Sequence, residues 1–491
     1  MIKYITKLIL LIMPKYDKTS SKSIEKFAKL LIWKKYSDFI KEWENKANWN
    51  KWNLWQFLET NYFNKKLDNK SEPDFQEAWI ELKTTPIKRL KKWKIRAKER
   101  LSLNNINYNT IVHEKWNSSS FMNKNSLILL VFHLYKEWEI NINYVIKIVE
   151  LFSFKINTQD YNIIKNDWLK IQKAIKEWKA HELSEWDTLY LWACTKWSTA
   201  LKSLTTQPFS EIKAKNRAFS FKWWYMNYIL EWFEKNNKEY TQLFEDTEEK
   251  WFNFEDKLNA LFKPYIGKSA YDIWKIHKLK HISSWQKSYY ARLSSKIMWA
   301  KDENSIEEFT KANIKLKTIR LKPNWKLVED ISFPNFKAEE IKNQEWVDSD
   351  LYNMLEGEKF FFIIFKMTTI TESAFKKLTL VERDKALIIN KVVLWNTPSK
   401  DIEQKAKKTW DETVYLIKNN KVIITSKTIN RKWKEKIIEK NNLPWKAQTK
   451  MIHVRPHTTN SKCRDTLPDW QTITKSCFWF NSEYIEKELW L

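Results

Sequence analysis

Glycine occurs twice in this chain of 491 residues and tryptophan thirty times. That ratio constrains the fold before anything else, because tight turns and helix C-termini need backbone at positive φ, which glycine adopts without steric cost. An ordinary chain of this length carries roughly 34 glycines at about 7% usage. Here glycine and tryptophan together total 32. Several tryptophans stand in polar turn contexts, as in Asn324-Trp325, Lys92-Trp93-Lys94 and Asn50-Lys51-Trp52-Asn53. The reading that accounts for them is that most are UGA codons decoded as glycine in the source organism, as some bacterial lineages do. Trp168, at an apolar helical position, and Trp479, within CFWF, read as true tryptophans. UGG codons at Trp33, Trp52, Trp93 and Trp325 are what a truly tryptophan-rich protein would show.

The chain carries 87 Lys+Arg against 60 Asp+Glu, a net charge of +27 with a pI near 9.5. Such a balance points to a polyanionic partner, nucleic acid foremost. The alternative is A/T-rich coding, with the lysines on solvated faces. Apolar residues make up 43% and charged ones 30%, which excludes a disordered tail and suits two domains. No apolar run is long enough to span a membrane. Cys194, Cys463 and Cys477 offer neither a disulfide framework nor a CxxC pair, which fits a reducing cytoplasm. The opening MIKYITKLILLIM has a basic start and a short apolar stretch but lacks a small-residue cleavage site. A start at Met13 is at least as plausible as a signal peptide.

Residues 19–35 read as an amphipathic helix with Ile24, Phe27, Leu30 and Leu31 on one face. Strand-like segments follow at 78–84 and 126–133, and helical stretches at 160–178 and 224–235. Strands mixed with helices predict an α/β (mixed α+β) architecture. The polar, acidic stretch 236–256 reads as a linker between an N-terminal domain, 14–235, and a C-terminal one, 257–491. Past it the pattern returns at a constant offset of 234: EEFTKANIKLKT (307–318) echoes PDFQEAWIELKT (73–84). Phe75 falls on Phe309, Ala78 on Ala312, Ile80 on Ile314, Leu82 on Leu316 and Lys83 on Lys317. The same offset sets Ile32-Trp33-Lys34 on Ile266-Gly267-Lys268, so one copy holds glycine where the other holds tryptophan.

In the first copy Pro73-Asp74 is followed by Glu81 and Lys83. On a strand, Glu81 and Lys83 project from the same face. An acid from the preceding segment can then join Glu81 as a ligand to a hard divalent ion such as Mg²⁺. Lys83 beside it can orient or help deprotonate an attacking water while charge on the phosphate is stabilised. This is the PD-(D/E)xK arrangement of nucleases. In so charged a chain the bare spacing also arises by chance on an amphipathic strand with a solvated face.

The surroundings add to it. With Trp read as Gly, the KWNLWQFLE stretch from Asn50 and the segment SEPDFQEAWIELKTTPIKRLKKWKIRAKERLSLNNINY resemble the MutH family of DNA nicking and GATC-cutting endonucleases. The resemblance continues through SSSFMNKNSLILLVF (118–132) and residues 189–222, then through MIHVRPHTTNSK (451–462) and LPDWQTITKSCFWFNSEYI (467–485). It implies two tandem restriction-endonuclease-fold domains. It makes Asp74 and Glu81 metal ligands and Lys83 the catalytic lysine. Glu59 becomes a further acidic site residue, and Lys124 a basic residue near the scissile phosphate. Lys196 falls in the family's recognition loop, and Arg217 through Lys222 in the DNA-contacting stretch after it. Cys194-Thr195 stands where the family has Arg-Pro, and Ser220 where it has tyrosine, which puts the base contacts of this copy in doubt.

In the second copy the offset sets Asp74 on Glu308, Glu81 on Lys315 and Glu59 on Leu293. A cation in place of a ligand repels Mg²⁺, so this copy is not expected to cleave. It keeps Arg455-Pro456, with His457, Asn460 and Lys462 alongside, which implies a DNA-binding effector module. The resulting expectation is a cytoplasmic type II restriction endonuclease. It would use Mg²⁺ on double-stranded DNA containing GATC, cut 5′ of the G, dimerise on DNA and have a cognate methyltransferase. The alternatives are a mismatch-repair nicking enzyme and a non-catalytic GATC-binding protein.

Overall fold

The computed structural model describes residues 16–40, 54–66, 72–89, 95–136, 139–183, 187–195, 204–234, 239–244, 254–278, 289–346, 349–431, 434–458 and 463–491. The first 13 residues, Trp52 and Trp93 lie outside these ranges. The chain divides into two compact units, 1–239 with 244–252, and 240–243 with 253–491. Part of the expected linker is thereby built into the second unit. Thr241 pairs with Ile306, the Leu243 amide donates to Glu308 Oε1 at 2.8 Å, and a helix already begins at Phe254.

The strands of the first unit are β1 (Glu81–Arg89), β2 (Ile95–Ala97), β3 (Leu101–Asn105), β4 (Ile128–Leu134), β5 (Val145–Phe152), β6 (Leu191–Thr195), β7 (Leu204–Gln207), β8 (Ser210–Lys215) and β9 (Arg217–Phe221). One sheet runs β2-β1-β4-β5, with β1 and β4 parallel and the outer pairs antiparallel. A second runs β3-β9-β6, and β7–β8 is a hairpin. Ile128 through His133 of β4 are all buried, as a strand covered on both faces requires. The helix Ser21–Ala28 adds Ile24, Phe27 and Ala28 to the same core, with Leu31 from the turn beyond it. Ile24, Phe27 and Leu31 each contribute about 1.5–3 kcal/mol by that burial. Leu30 departs from its expected face and is half exposed. The helix tightens to a 3₁₀ turn at Lys29–Leu31, and that change of pitch swings Leu30 outward. The other expected helices occur as Thr158–Lys176 and Trp223–Phe233.

The second unit repeats the plan. Its strands are β10 (Ile314–Leu321), β11 (Ile331–Asn335), β12 (Lys359–Met367), β13 (Leu387–Asn396), β14 (Ile424–Arg431), β15 (Lys434–Asn441), β16 (Ile452–Pro456), β17 (Arg464–Thr466), β18 (Thr472–Thr474) and β19 (Ser476–Phe480). They form sheets β10-β12-β13 and β11-β19-β16, with β10 and β12 parallel. Even an irregularity recurs: the β4–β5 register shifts at Phe132/His133, and the β12–β13 register at Ile364/Phe365.

The tryptophans separate into two populations. Trp33, Trp79, Trp178, Trp299, Trp325, Trp470 and Trp490 have φ between 51° and 70°, and all are exposed. A bulky L-residue in that region is strained by about 1–2 kcal/mol. Their counterparts are telling. Trp33 (φ 70°) matches Gly267 (φ 83°), and both donate their amide to a strand, to Ile146 O and Ile389 O, each at 2.8 Å. Trp79 matches Asn313, Trp178 matches Asn420, and Trp299 matches Asn64, each of these asparagines also left-handed. Glycine and asparagine are the residues that tolerate this conformation. By contrast, Trp168 lies fully buried 5.6 Å from Trp116, and Trp410 repeats the pairing 5.5 Å from Trp346.

Candidate active site

The loop before β1 folds back on itself. Phe75 and Ile80 exchange amide hydrogen bonds of 2.8 and 3.1 Å around a 3₁₀ turn, Gln76–Ala78, that Trp79 closes at φ 55°. This delivers Asp74 onto the head of the strand, where its Oδ2 accepts the Leu82 amide at 2.7 Å. The Asp74 amide in turn donates to Glu81 Oε2 at 3.3 Å. Glu81, the first residue of β1, is 1% exposed. Its Oε1 receives Lys83 Nζ at 2.5 Å and lies 3.7 Å from Lys124 Nζ. Lys124 reaches it from the helix Ser120–Asn125, whose Ser119 caps the Met122 amide.

Glu59 comes from a π-helical turn, Leu58–Tyr62, a geometry often found at functional sites. It is buried and hydrogen-bonded to Asp74. Burial first, then the charge and hydrogen bond of Asp74, push its carboxyl up to about 8. Burial also raises Glu81, and the Lys83 ammonium opposes that rise. Glu59, Asp74, Glu81, Lys83 and Lys124, widely separated in sequence, are thus brought together. Three carboxylates crowd into a site where water cannot screen them, and one of them takes up a proton in answer.

A divalent cation would relieve the same crowding. Among the described residues no three His, Cys, Asp or Glu side chains already converge as a closed ligand set. Mg²⁺ needs none: it is commonly held by one or two carboxylates, keeping water and phosphate as its other ligands. Asp74 and Glu81 fit that role.

The DNA-contacting assignments fare differently. Arg217 and Lys222 are buried. Arg217 donates to Ala193 O and Leu183 O, both at 2.7 Å, and Lys222 to Thr188 O at 2.6 Å. In this structure they therefore brace β6 and the segment before it rather than face a duplex, because the carbonyls of Leu183, Thr188 and Ala193 take their charged ends. Lys196, Asn460 and Lys462 lie outside the described residues. Arg455, at the end of β16, is 49% exposed and rests 4.2 Å above the Trp479 ring. His457 packs edge-on against the same ring at 5.0 Å. Asp330 holds Arg455 Nη1 at 3.3 Å and Lys446 Nζ at 2.7 Å. Burial acts to raise the Asp330 carboxyl, but its bonds from Lys446 and the Ser482 amide hold it below the usual range. Sequence spacing carried no sign of Asp330, which lies far from Arg455 along the chain.

In the second unit the carboxylate at the head of the strand is not the one sequence alignment selects. Glu303 Oε2 accepts the Leu316 amide at 2.7 Å, the bond that Asp74 makes to Leu82. Glu308 is instead fully buried and turned toward Leu243. Lys315 stands where Glu81 does, and Glu358 lies close to Lys315, Lys317 and Glu303. Leu293 and its neighbour Ser294 are both buried in the region that corresponds to Glu59. The geometry of a nuclease site is present once and its charge-altered copy once.

The fold, with its parallel strand pair and acidic loop, and the Asp-Glu-Lys cluster are those of a PD-(D/E)xK endonuclease. Residues 63–167 match the family described as DNA mismatch repair enzyme MutH. The chain is 36% identical over 467 residues to the type II restriction enzyme Sau3AI of Staphylococcus aureus, covering 87% of this chain and 90% of that one. The chain belongs to the MutH-type restriction endonucleases.

Proposed function

We propose that this protein cleaves double-stranded DNA at GATC with Mg²⁺, using the first unit for chemistry and the second to bind DNA without cutting. The observation that carries the reading is the buried cluster of Glu81, Asp74, Lys83 and Lys124 at the head of β1. Likeness to Sau3AI across most of the chain supports restriction rather than mismatch-repair nicking. Bound Mg²⁺ would stabilise the charge that builds on the phosphate. Asp74 and Glu81 would hold it, and the Asp74–Leu82 amide bond fixes the carboxylate's orientation beforehand. Lys83 would orient the attacking water, while Lys124 would steady the scissile phosphate. Glu59, held protonated near neutrality by burial and by Asp74, would hydrogen-bond to Asp74 and help to orient it.

In the second unit Arg455, His457, Asn460 and Lys462 would engage the duplex, and Lys196 would do so in the first. One catalytic centre cuts one strand, so two chains meeting on DNA would make the double-strand break. A cognate methyltransferase would protect the host. No helix among the described residues is long and apolar enough to cross a membrane, and Cys194, Cys463 and Cys477 are free thiols, in keeping with a cytoplasmic enzyme.

The recoding of UGA belongs to the same proposal. The seven left-handed tryptophans are its leading candidates, since four of them, Trp33, Trp79, Trp178 and Trp299, are matched in the other unit by the left-handed Gly267, Asn313, Asn420 and Asn64, whereas the turn of Trp470 is matched by the left-handed Phe209. Trp116, Trp168, Trp346 and Trp410 are not candidates, because their rings fill the core. UGG codons at positions 33, 79 and 178 would end the idea. The decisive functional test is digestion of a plasmid by the glycine-restored enzyme with Mg²⁺, followed by sequencing of the ends. Four-base overhangs beginning at GATC support the reading; nicked circles or untouched DNA overturn it.

A further inference from the structure

Between its long helix and the strand that follows, the second unit carries an element that the first does not. From the left-handed turn that ends the long helix to the strand bearing the recognition arginine, the second unit uses residues 419–451. The first unit spans the same interval, from Trp178 and its turn to β6, with residues 177–190. The surplus is the ribbon β14–β15, a pair in continuous antiparallel register from Ile424↔Asn441 to Arg431↔Lys434. No third strand joins its sheet among the described residues.

The ribbon's sequence is basic. The two strands contain Lys427, Arg431, Lys434, Lys436 and Lys440 in their sequence, against Glu435 and Glu439. Glu439 is already engaged: it pairs with Arg464 Nη1, and its Oε1 accepts the Thr474 amide at 3.0 Å. Those bonds tie the ribbon to the β17–β18 hairpin. That hairpin frames the loop bearing His457, through Lys475 N to Cys463 O at 3.1 Å and His457 N to Lys475 O at 3.0 Å. The basic ribbon is therefore anchored to the same edge of the unit as Arg455.

We propose that the β14–β15 ribbon is a DNA-contacting arm of the second unit. An antiparallel ribbon fits the width of the major groove, and its lysines would pair with phosphates and release counterions. The inference rests on the reading of this chain as a DNA endonuclease and adds a binding surface to it. It also gives the non-cleaving unit a grip on the duplex that the cleaving unit lacks.

The test uses the full-length chain carrying Glu81→Ala, so that DNA stays intact, and a labelled GATC duplex without divalent cation. Binding is followed by fluorescence anisotropy between 50 and 200 mM KCl. Two ribbon variants are compared with this parent, K427Q/K434Q/K436Q/K440Q and the charge reversal K434E/K436E, each checked for an unchanged melting temperature. Every lysine–phosphate pairing removed lowers the slope of log K against log salt by about 0.9. The expected result is a slope shallower by about 2–4 in the quadruple variant, with at least about tenfold weaker binding at the lower salt. Variants that keep the parent's slope and affinity overturn the arm alone. A parent that does not bind the duplex overturns the endonuclease reading and the arm together.

Discussion

At the head of β1 a buried carboxylate, Glu81, faces two lysines and a second carboxylate; at the head of β10 the equivalent residue is itself a lysine, Lys315. The backbone around them is nevertheless the same. Asp74 receives the Leu82 amide and Glu303 the Leu316 amide, both at 2.7 Å, and a left-handed residue closes the turn in each, Trp79 in one and Asn313 in the other. The comparison separates two duties that Asp74 performs together. Securing the first amide of the strand is structural and survives in the second unit from a residue elsewhere in the loop. Presenting negative charge to a cation, the duty proposed for Asp74 with Glu81, has a lysine, Lys315, in the place of Glu81 in the second unit. In the second unit burial raises the Glu358 carboxyl, and the charges of Lys315 and Lys317 oppose that rise.

The largest effect that would break this contrast is on catalysis. Glu81→Ala should lower cleavage by about 1,000-fold or more. Lys315→Ala in the second unit should leave the single-turnover rate within about threefold, since that unit is proposed to bind without cutting. Equal losses from both, measured by single-turnover cleavage of one duplex, would mean that the second unit takes part in the chemistry.

Next come the buried tryptophans. Trp168→Ala and Trp410→Ala should each destabilise their own unit by about 3–5 kcal/mol, read by chemical denaturation. The opposite sign is expected where the backbone is left-handed. Trp178→Gly and Trp299→Gly should each stabilise by about 1 kcal/mol, raising Tm by about 2–4 °C for units of this size. Melting points that fall instead would show that the ring contacts of Trp178 with Phe209 and of Trp299 with His277 outweigh the backbone strain.

The smallest effect sharpens the comparison through pH. His133 of β4 is buried against the Tyr36 hydroxyl, with Nδ1 3.0 Å away, and burial lowers it from 6.5 to about 3. Its register equivalent in β12 is Phe365. A depressed pKa gives stability that is complete above pH 6.5 and lost as pH falls toward 3. His133→Phe should therefore flatten the loss of first-unit stability on acidification, even though the orphaned Tyr36 hydroxyl costs about 1–3 kcal/mol at neutral pH. An unchanged pH slope would place the acid sensitivity elsewhere.

How far the sequence revealed all this depends on whether a residue acts locally or across the fold. The strand at 78–84 and the Asp74, Glu81, Lys83 spacing were legible because both follow from a period of two and one short loop. The beginning of β1 at Glu81 was not, since Trp79 hides a left-handed turn behind a residue that reads as apolar strand. The offset of 234 found the second copy but assigned Glu308 to a place that Glu303 fills. A hydrogen bond is satisfied by whichever oxygen the loop delivers, and linear alignment does not see that. Arg217 and Lys222 looked like DNA ligands because basic residues near a recognition loop usually are. Only the carbonyls of Leu183, Ala193 and Thr188, brought in from another segment, turn them inward.

The left-handed turn at Trp33, which follows the first helix and donates its amide to Ile146 of β5, has a consequence beyond conformation. Under the recoding proposed above, that turn is written with a codon that most cells treat as a stop. A gene for a DNA-cutting enzyme that strayed into such a cell would be silenced there, ahead of every acidic side chain of its cutting centre. The enzyme would then be harmless outside its own lineage, contained by the same position that lets its backbone turn.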